Sequence, residues 1–118
     1  MVYDMGNVNN TVFIATGEYG DLYELREECY KYLIGEKVWA EFFNLITIID
    51  SHTNDQATFI IASCGSKLGW DRSNAHAELV GFAKDYCKEQ INCSIFHDND
   101  YGCRSEDYEM GEYICNND

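Results

Sequence analysis

The sequence predicts an α+β protein of the ferredoxin-like, split βαβ type, with a four-stranded antiparallel sheet and two helices on one face. The first observation is a repeated start. An apolar, β-branched run that stops at a glycine occurs at 11–17 and again at 57–65. The second observation is that each run is followed by a stretch of helical spacing with one cysteine, and then by another β-rich run. The order β-α-β-β-α-β predicts one domain of 118 residues, with repeat units at about 11–49 and 57–98 and an acidic tail at 99–118.

The first unit begins with a strand predicted over 11–16 and a glycine-bearing loop. Asp21 can cap the helix that follows, because Glu24 three residues later completes a capping-box pair. A helix is predicted near 21–34, with Gly35 just after its end. Its apolar residues recur at helical spacing and leave acidic residues on the opposite face; they are Leu22, Leu25, Cys29, Tyr32 and Leu33.

The stretch 37–49 is apolar at most positions, which favours one long buried strand. The second unit repeats the pattern, with a strand over 57–64, a helix over 73–90 that Ser73 can cap, and a short strand over 91–96. Right-handed crossovers in both units would place the two strand pairs on either side of a pseudo-two-fold axis. Folds of this type serve many functions, so the fold implies none by itself.

The chain is strongly acidic, with 21 acidic and 8 basic residues and a formal net charge of −13. This composition argues against a nucleic-acid-binding protein and against binding to an anionic membrane, since both need a cluster of Lys and Arg. Residues 1–55 hold ten acidic and three basic residues, and residues 96–118 hold seven and one, whereas the stretch between them is balanced. The excess acidity therefore belongs to the first unit and the tail.

These carboxylates, interleaved with tyrosines, predict a negative surface that binds a basic protein partner. The predicted partner-binding residues are Glu18, Asp21, Glu24, Glu27, Glu28, Asp98, Asp100, Glu106, Asp107 and Glu109. In charge and size the chain resembles the small acidic inhibitors that phages and plasmids use against nucleases and restriction systems. The resemblance implies a non-enzymatic inhibitor that imitates nucleic acid and occludes a basic, nucleic-acid-binding host nuclease or defence protein.

The alternative function is a small-ligand or regulatory module of ferredoxin-like fold. Its site would be the two glycine-bearing strand-to-helix loops, which are predicted to lie at the same end of the sheet, before helix N-termini that favour anions. The ligand-loop residues are Gly65, Ser66, Lys67, Gly69, Trp70 and Arg72. Glu18 and Asp21 in the first loop are expected to repel an anion there, or to pair with Lys67 and Arg72.

Catalytic and metal sites are weakly indicated, and we predict neither an enzyme nor a cofactor. Cys64 before a glycine loop is a candidate nucleophile, but His52, His76 and His97 fall in unrelated elements. The cysteines form no CxxC spacing for zinc. Asp98, Asp100 and Glu109 match only part of a calcium-binding loop, with cysteine where glycine is needed.

The six cysteines are predicted to be free thiols in a cytoplasmic protein, because the start of the chain lacks the basic and apolar regions of a secretory signal. No apolar run is long enough to span a membrane. The matched positions of Cys29 and Cys87 in the two helices favour core packing. Whether Cys103 and Cys115 pair or bind metal is left open by their spacing.

Overall fold

A computed structural model describes residues 8–36, 40–87, 90–99, 102–109 and 112–117, with the backbone alone described at 98–99, 102–104, 109 and 112–117. The elements follow one another as β1 (Val12–Glu18), α1 (Tyr19–Glu36), a 3₁₀ helix (Ala40–Leu45), β2 (Ile46–Asp50), β3 (Gln56–Ile61), α2 (Asp71–Cys87), β4 (Asn92–Asn99), β5 (Gly102–Glu109) and β6 (Glu112–Asn117).

All the strands of the described chain join one antiparallel sheet in the order β2-β3-β1-β4-β5-β6. The mixed α+β class and the antiparallel sheet are confirmed, whereas the strand count of four is wrong, because six strands are present. The extra strands β5 and β6 come from the stretch predicted to be an acidic tail. Consecutive antiparallel strands can satisfy each other's backbone groups with few apolar side chains, so their pattern is weak in the sequence.

The helix α1 is confirmed by its buried stripe, which consists of Leu22, Leu25, Cys29 and Leu33. It begins at Tyr19, directly after β1 ends at Glu18, so the predicted intervening loop is absent. Asp21 lies in the first turn of the helix, and Gly35 belongs to its last turn. Both residues were predicted to flank the helix, but the helix is about one turn longer than predicted and includes them.

The long strand predicted over 37–49 is wrong at 40–45, and its residues 37–39 lie outside the described residues. Ala40–Leu45 forms a 3₁₀ helix, and only Ile46–Asp50 forms a strand. The apolar residues of this stretch were interpreted as the two faces of a buried strand, but those at 40–45 belong to the 3₁₀ helix. Phe42 is fully buried and turns into the core, while Phe43 packs against it from the edge, its ring 5.2 Å from the Tyr30 ring.

One face of the sheet packs against both helices. Side chains alternate along each strand, and the buried set consists of Phe13, Ala15, Ile46, Ala57, Phe59, Ile61, Cys93 and Ile95. The strands of this face meet Leu22, Leu25 and Leu33 from α1 and Leu79 and Ala83 from α2 in one core. The register pairs Phe13 with Ile61 and with Ile95, which fixes the buried set across three strands.

The opposite face of the sheet carries the side chains that alternate with the buried ones. Ile14 stands beside Ile60 on one side and Ser94 on the other, and Asp107 of β5 follows Ser94. Ile49 and Phe96 are exposed on this face. Both described helices therefore lie on one side of the sheet, and no described helix covers the other.

Candidate functional site

The N-terminal half of α1 presents an acidic surface, which we define as Glu18, Asp21, Glu24, Glu27 and Glu28. Glu18, Asp21 and Glu24 are exposed, and Glu27 and Glu28 are half-buried. The burial of Leu22, Leu25, Cys29 and Leu33 sets the rotation of the helix and turns these carboxylates outward. This acidic helix surface contains the first five predicted partner-binding residues.

Basic side chains balance only part of the acidic helix surface. Lys31 Nζ lies 3.0 Å from a carboxylate oxygen of Glu28, and Arg26 Nε lies 3.8 Å from one of Glu27. Among the described residues, Glu18, Asp21 and Glu24 form no ion pair with a basic side chain. The first turns of the helix therefore keep an uncompensated negative charge.

The same turns of the helix carry two exposed aromatic rings. Tyr19 and Tyr23 are 38% and 44% exposed, although rings of this size are more often turned inward. Arg26 holds its guanidinium 4.8 Å from the Tyr23 ring centre and 5.8 Å from that of Tyr30. These contacts orient the rings along one side of the helix.

The negative potential extends to α2. Partial burial, followed by the charges of Glu24 and Glu28, raises the pKa of Tyr86 on the neighbouring helix. At the other end of the helix layer, partial burial and the charges of Glu78 and Glu36 raise the pKa of Tyr32. The layer therefore has two acidic ends, of which the acidic helix surface is the larger.

The tail carboxylates do not form one surface. Glu106 pairs across the sheet with Ile95 on the helix-facing side, where its Oε2 accepts a hydrogen bond from His97 Nε2 at 2.6 Å. Asp107 pairs with Ser94 on the opposite side. The strand alternation therefore separates these two residues. The side chains of Asp98 and Glu109, and the whole of Asp100, lie outside the described residues.

The two glycine-bearing segments lie at opposite ends of the sheet, so the prediction that they meet is wrong. Because β1 and β3 are antiparallel, Glu18 at the end of β1 stands beside Gln56 at the start of β3. The predicted pairing of Glu18 and Asp21 with Lys67 and Arg72 is also absent among the described ion pairs. Arg72 instead pairs with Glu41.

The second glycine loop does form an open pocket of about 400 Å³, lined by Cys64, Gly65, Ser66, Trp70, Asp71 and Arg72. Gly65 and Gly69 have φ angles of 71° and 90°, which favour glycine and shape the turn. Lys67 lies on the rim with its Nζ 5.6 Å from the Trp70 ring centre. The predicted ligand-loop residues are therefore gathered at one place, without any contribution from the first loop.

A chain of buried hydrogen bonds is a feature that the sequence did not predict. It begins where His76 Nε2 donates to the Ala62 carbonyl oxygen at 2.9 Å, which leaves Nδ1 to accept from Asn9 Nδ2 at 3.4 Å. Asn9 Nδ2 also donates to Ser73 Oγ at 2.8 Å, so Ser73 binds this residue instead of capping α2.

The series of hydrogen bonds continues through the segment 8–11, which we call the strap. Asn9 Oδ1 accepts from the Thr11 backbone at 2.9 Å, and Thr11 Oγ1 lies 3.3 Å from His97 Nδ1. His97 then donates to Glu106. The residues joined in this way come from the strap, α2, β4 and β5.

The hydrogen-bonded chain forms one side of a pocket of about 230 Å³ between the strap, α2 and the β4–β5 hairpin. Asn9 is 4% exposed, and His76 is fully buried. Burial lowers the pKa of His76, so its neutral form is favoured. The sequence gives no local signal for this site, because its residues lie far apart along the chain: Asn9 and His76 by 67 residues, and Thr11 and His97 by 86.

Three of the four described cysteine side chains are buried, and none of the four forms a disulfide. Cys29, Cys87 and Cys93 are buried, Cys64 is half-buried, and all four are free. A hydrogen bond between Cys87 and Cys93 raises the pKa of Cys87 and lowers that of Cys93. Cys103 and Cys115 lie outside the described side chains. No group of three or more His, Cys, Asp or Glu side chains in the described part of the chain is placed to hold a metal ion.

Comparison with known proteins gives no family. No protein-family model matches the chain, and no curated protein matches it. In the described residues, no helix has the length and apolar character needed to cross a membrane.

Proposed function

We propose that the protein is a non-enzymatic binding protein that occludes a basic, nucleic-acid-binding protein partner, in the manner of the small acidic inhibitors of phages and plasmids. The observation that carries the proposal is the start of α1, where exposed carboxylates and two exposed tyrosine rings occur on the same turns. Carboxylates supply long-range attraction to a basic surface, and aromatic rings supply contact area at low entropic cost.

The charge pattern supports this assignment. Among the described residues, Glu18, Asp21 and Glu24 form no ion pair, so a partner's Lys or Arg would not have to displace one. The exposed rings of Tyr19 and Tyr23 belong to the same turns, and Arg26 contacts the Tyr23 ring. A basic partner would thus find charge and apolar contact on the same two turns of the helix. The tail acids Glu106 and Asp107 take separate directions, so the proposed surface is α1 alone.

The proposal is tested by matched charge reversals at the two ends of the helix layer. The first variant carries Glu24→Lys and Glu27→Lys, and the control carries Glu36→Lys and Glu78→Lys. Both variants change the net charge equally, and each exposed substitution should alter stability by only about 0.2–0.5 kcal/mol. Each protein is immobilised and exposed to an extract of the native host cells at low salt, and the retained proteins are eluted with a salt gradient.

We expect a basic protein that binds the wild type and the control, is lost from the Glu24/Glu27 variant, and is displaced by added duplex DNA. Elution at moderate salt would agree with electrostatic attraction, which is screened over about 8–10 Å at physiological ionic strength. Equal retention of the same proteins by both variants would show that the acidic helix surface is not the binding surface.

We also propose that β1–β4 with α1 and α2 form a ferredoxin-like unit, to which β5 and β6 are added, and that the protein is cytoplasmic. The partial strand order β2-β3-β1-β4 and the contact between the two helices support the fold assignment. A truncated chain ending after β4 would fold cooperatively if the unit is independent, and would remain unfolded if the added hairpin is part of the core.

A further inference from the structure

We propose that the pocket between the strap, α2 and the β4–β5 hairpin binds a small zwitterion of the α-amino-acid class with an apolar side chain. This site is separate from the acidic helix surface and does not depend on the partner proposed for it. The argument rests on the preformed walls of the pocket, on a glycine within α2, and on two opposite charges.

The polar wall is fixed before any ligand arrives. Asn9 uses its amide nitrogen and oxygen on Ser73, His76 and the Thr11 backbone, and its own backbone donates to the Ser66 carbonyl at 2.6 Å. His97 is held between the Thr11 hydroxyl and Glu106. Binding therefore requires little ordering of these side chains, which is the main cost in many ligand sites.

The helix wall is open at Gly81. This residue lies in the interior of α2, where glycine costs about 1 kcal/mol relative to alanine. Its φ is not in the left-handed region, and a Cβ built at Gly81 would meet no atom within 4 Å. The protein's own packing therefore gives no reason for glycine. Gly35 of α1 has equally open surroundings, but Gly81 lines the pocket, where a side chain would occupy the space open to a ligand.

The two charges of the pocket are opposite in sign. Lys84 of α2 and Glu106 of β5 both line it, and among the described side chains Lys84 forms its ion pair with Asp85, at 3.8 Å, instead of with Glu106. A ligand carboxylate would bind the Lys84 ammonium. A ligand ammonium would bind the Glu106 carboxylate beside the hydrogen bonds that it already accepts from His97 and Tyr108, since a carboxylate offers about four acceptor sites. A ligand with no net charge also avoids repulsion by a chain of net charge −13.

The size and the remaining lining select the side chain. A volume of about 230 Å³ equals that of about eight water molecules at roughly 30 Å³ each, so the ligand has about eight to ten non-hydrogen atoms. Ala77, Val80 and Ile95 supply apolar lining. These dimensions fit valine, leucine or methionine.

The test measures binding of L-valine, L-leucine and L-methionine to the full chain by calorimetry and by the shift in melting temperature. We expect at least one of them to bind saturably and to raise the melting temperature. The deaminated analogue of leucine, 4-methylpentanoate, and its decarboxylated analogue, 3-methylbutylamine, should each bind at least about tenfold more weakly, since each loses one charged contact.

Two variants and one control locate the site. Gly81→Leu fills the pocket and should abolish binding, and Lys84→Met should weaken it at least about tenfold. Gly35→Leu is the control, because Gly35 is also helical and its Cβ would also meet open space, but on α1. Binding by Gly35→Leu should match the wild type within about twofold. Gly81→Ala, which favours the helix, replaces Gly81→Leu if the larger residue prevents folding, and should weaken binding.

The proposal is overturned if none of the three amino acids binds. It is also overturned if the Gly81 and Lys84 variants bind as the wild type does, or if the two leucine analogues bind as well as leucine.

Discussion

Tyr32 of α1 stacks on Phe82 of α2, with ring centroids 4.6 Å apart and ring planes inclined by 20°. Both rings are half-buried and pack at the edge of the core. The contact joins the two helices directly, so the helix layer holds together through these rings as well as through the sheet below them.

We expect Tyr32→Leu and Phe82→Leu to be coupled in a double-mutant cycle by about 0.5–1.5 kcal/mol, which is the usual contribution of an aromatic pair beyond its buried area. The free energies of unfolding are measured by urea denaturation. Phe96→Leu is the matched control, because Phe96 lies on the open face of the sheet. Its effect and that of Tyr32→Leu should add within about 0.3–0.5 kcal/mol. Additive effects of Tyr32→Leu and Phe82→Leu would show that the stacking contributes nothing.

The pH dependence of stability should contain a contribution from His76. Burial lowers its pKa in the folded protein, and the charge of Arg72 lowers it further. The unfolded chain binds a proton near pH 6.5, so below that pH the unfolded state holds more protons than the folded one. The free energy of unfolding should therefore fall as the pH drops below about 6.5, with a slope of up to about 1.4 kcal/mol per pH unit.

The His76 contribution is isolated by comparing two glutamine variants over pH 5–7. His76→Gln should be less stable than the wild type at pH 7 and should lose most of the slope. His52→Gln should keep it, because the His52 side chain is 84% exposed. A wild-type slope that survives in His76→Gln would assign the effect to another group.

Two buried serines should respond in opposite ways to alanine. Ser66 Oγ is buried and has no hydrogen-bond partner among the described atoms, whereas Ser73 Oγ accepts from Asn9 at 2.8 Å. Ser66→Ala should leave the stability unchanged or raise it, since it removes an unsatisfied hydroxyl. Ser73→Ala should lower the free energy of unfolding by about 1–3 kcal/mol. Thermal and urea unfolding of both variants, measured side by side, would refute this if Ser66→Ala proved the more damaging.

The cysteines should differ in reactivity in the native protein. Burial, with a smaller effect from the charge of Glu28, raises the pKa of Cys29 to about 12, so almost none of it is thiolate at pH 8. Cys64 is half-buried at the edge of the open pocket. Alkylation with iodoacetamide followed by peptide mass mapping should find Cys64 modified well before Cys29. Equal rates in the folded protein would contradict the burial of Cys29.

Local patterns in the sequence were enough to predict α1, since the spacing of Leu22, Leu25, Cys29 and Leu33 by three or four residues indicates the buried stripe of a helix. They were not enough at 37–49. A run with apolar residues on both faces fits a buried strand and a tight helical turn equally well. The two are distinguished only by tertiary packing, because the 3₁₀ helix turns the Phe42 ring into the core.

The candidate sites divide in the same way. The acidic helix surface follows from helical periodicity, so its exposed carboxylates could be predicted. The tail carboxylates could not be placed, because the register of β5 in the sheet, which sends Glu106 and Asp107 to opposite faces, has no local signal in the sequence. The pocket beside the strap depends on contacts between Asn9, His76 and His97, which no local pattern brings together.

The strap also has a consequence for synthesis on the ribosome. Asn9 is made early, but its partner Ser73 follows 64 residues later, and His97 follows Thr11 by 86. At about 5–20 residues per second, the strap waits roughly 4–17 s for His97 to be made. Asn9 can meet Ser66, Ser73 and His76 earlier, but the Thr11 hydroxyl has no His97 to bind until β4 has been made. The strap can therefore complete its contacts only after β4 has been made, which makes that completion a late step in the maturation of the nascent chain.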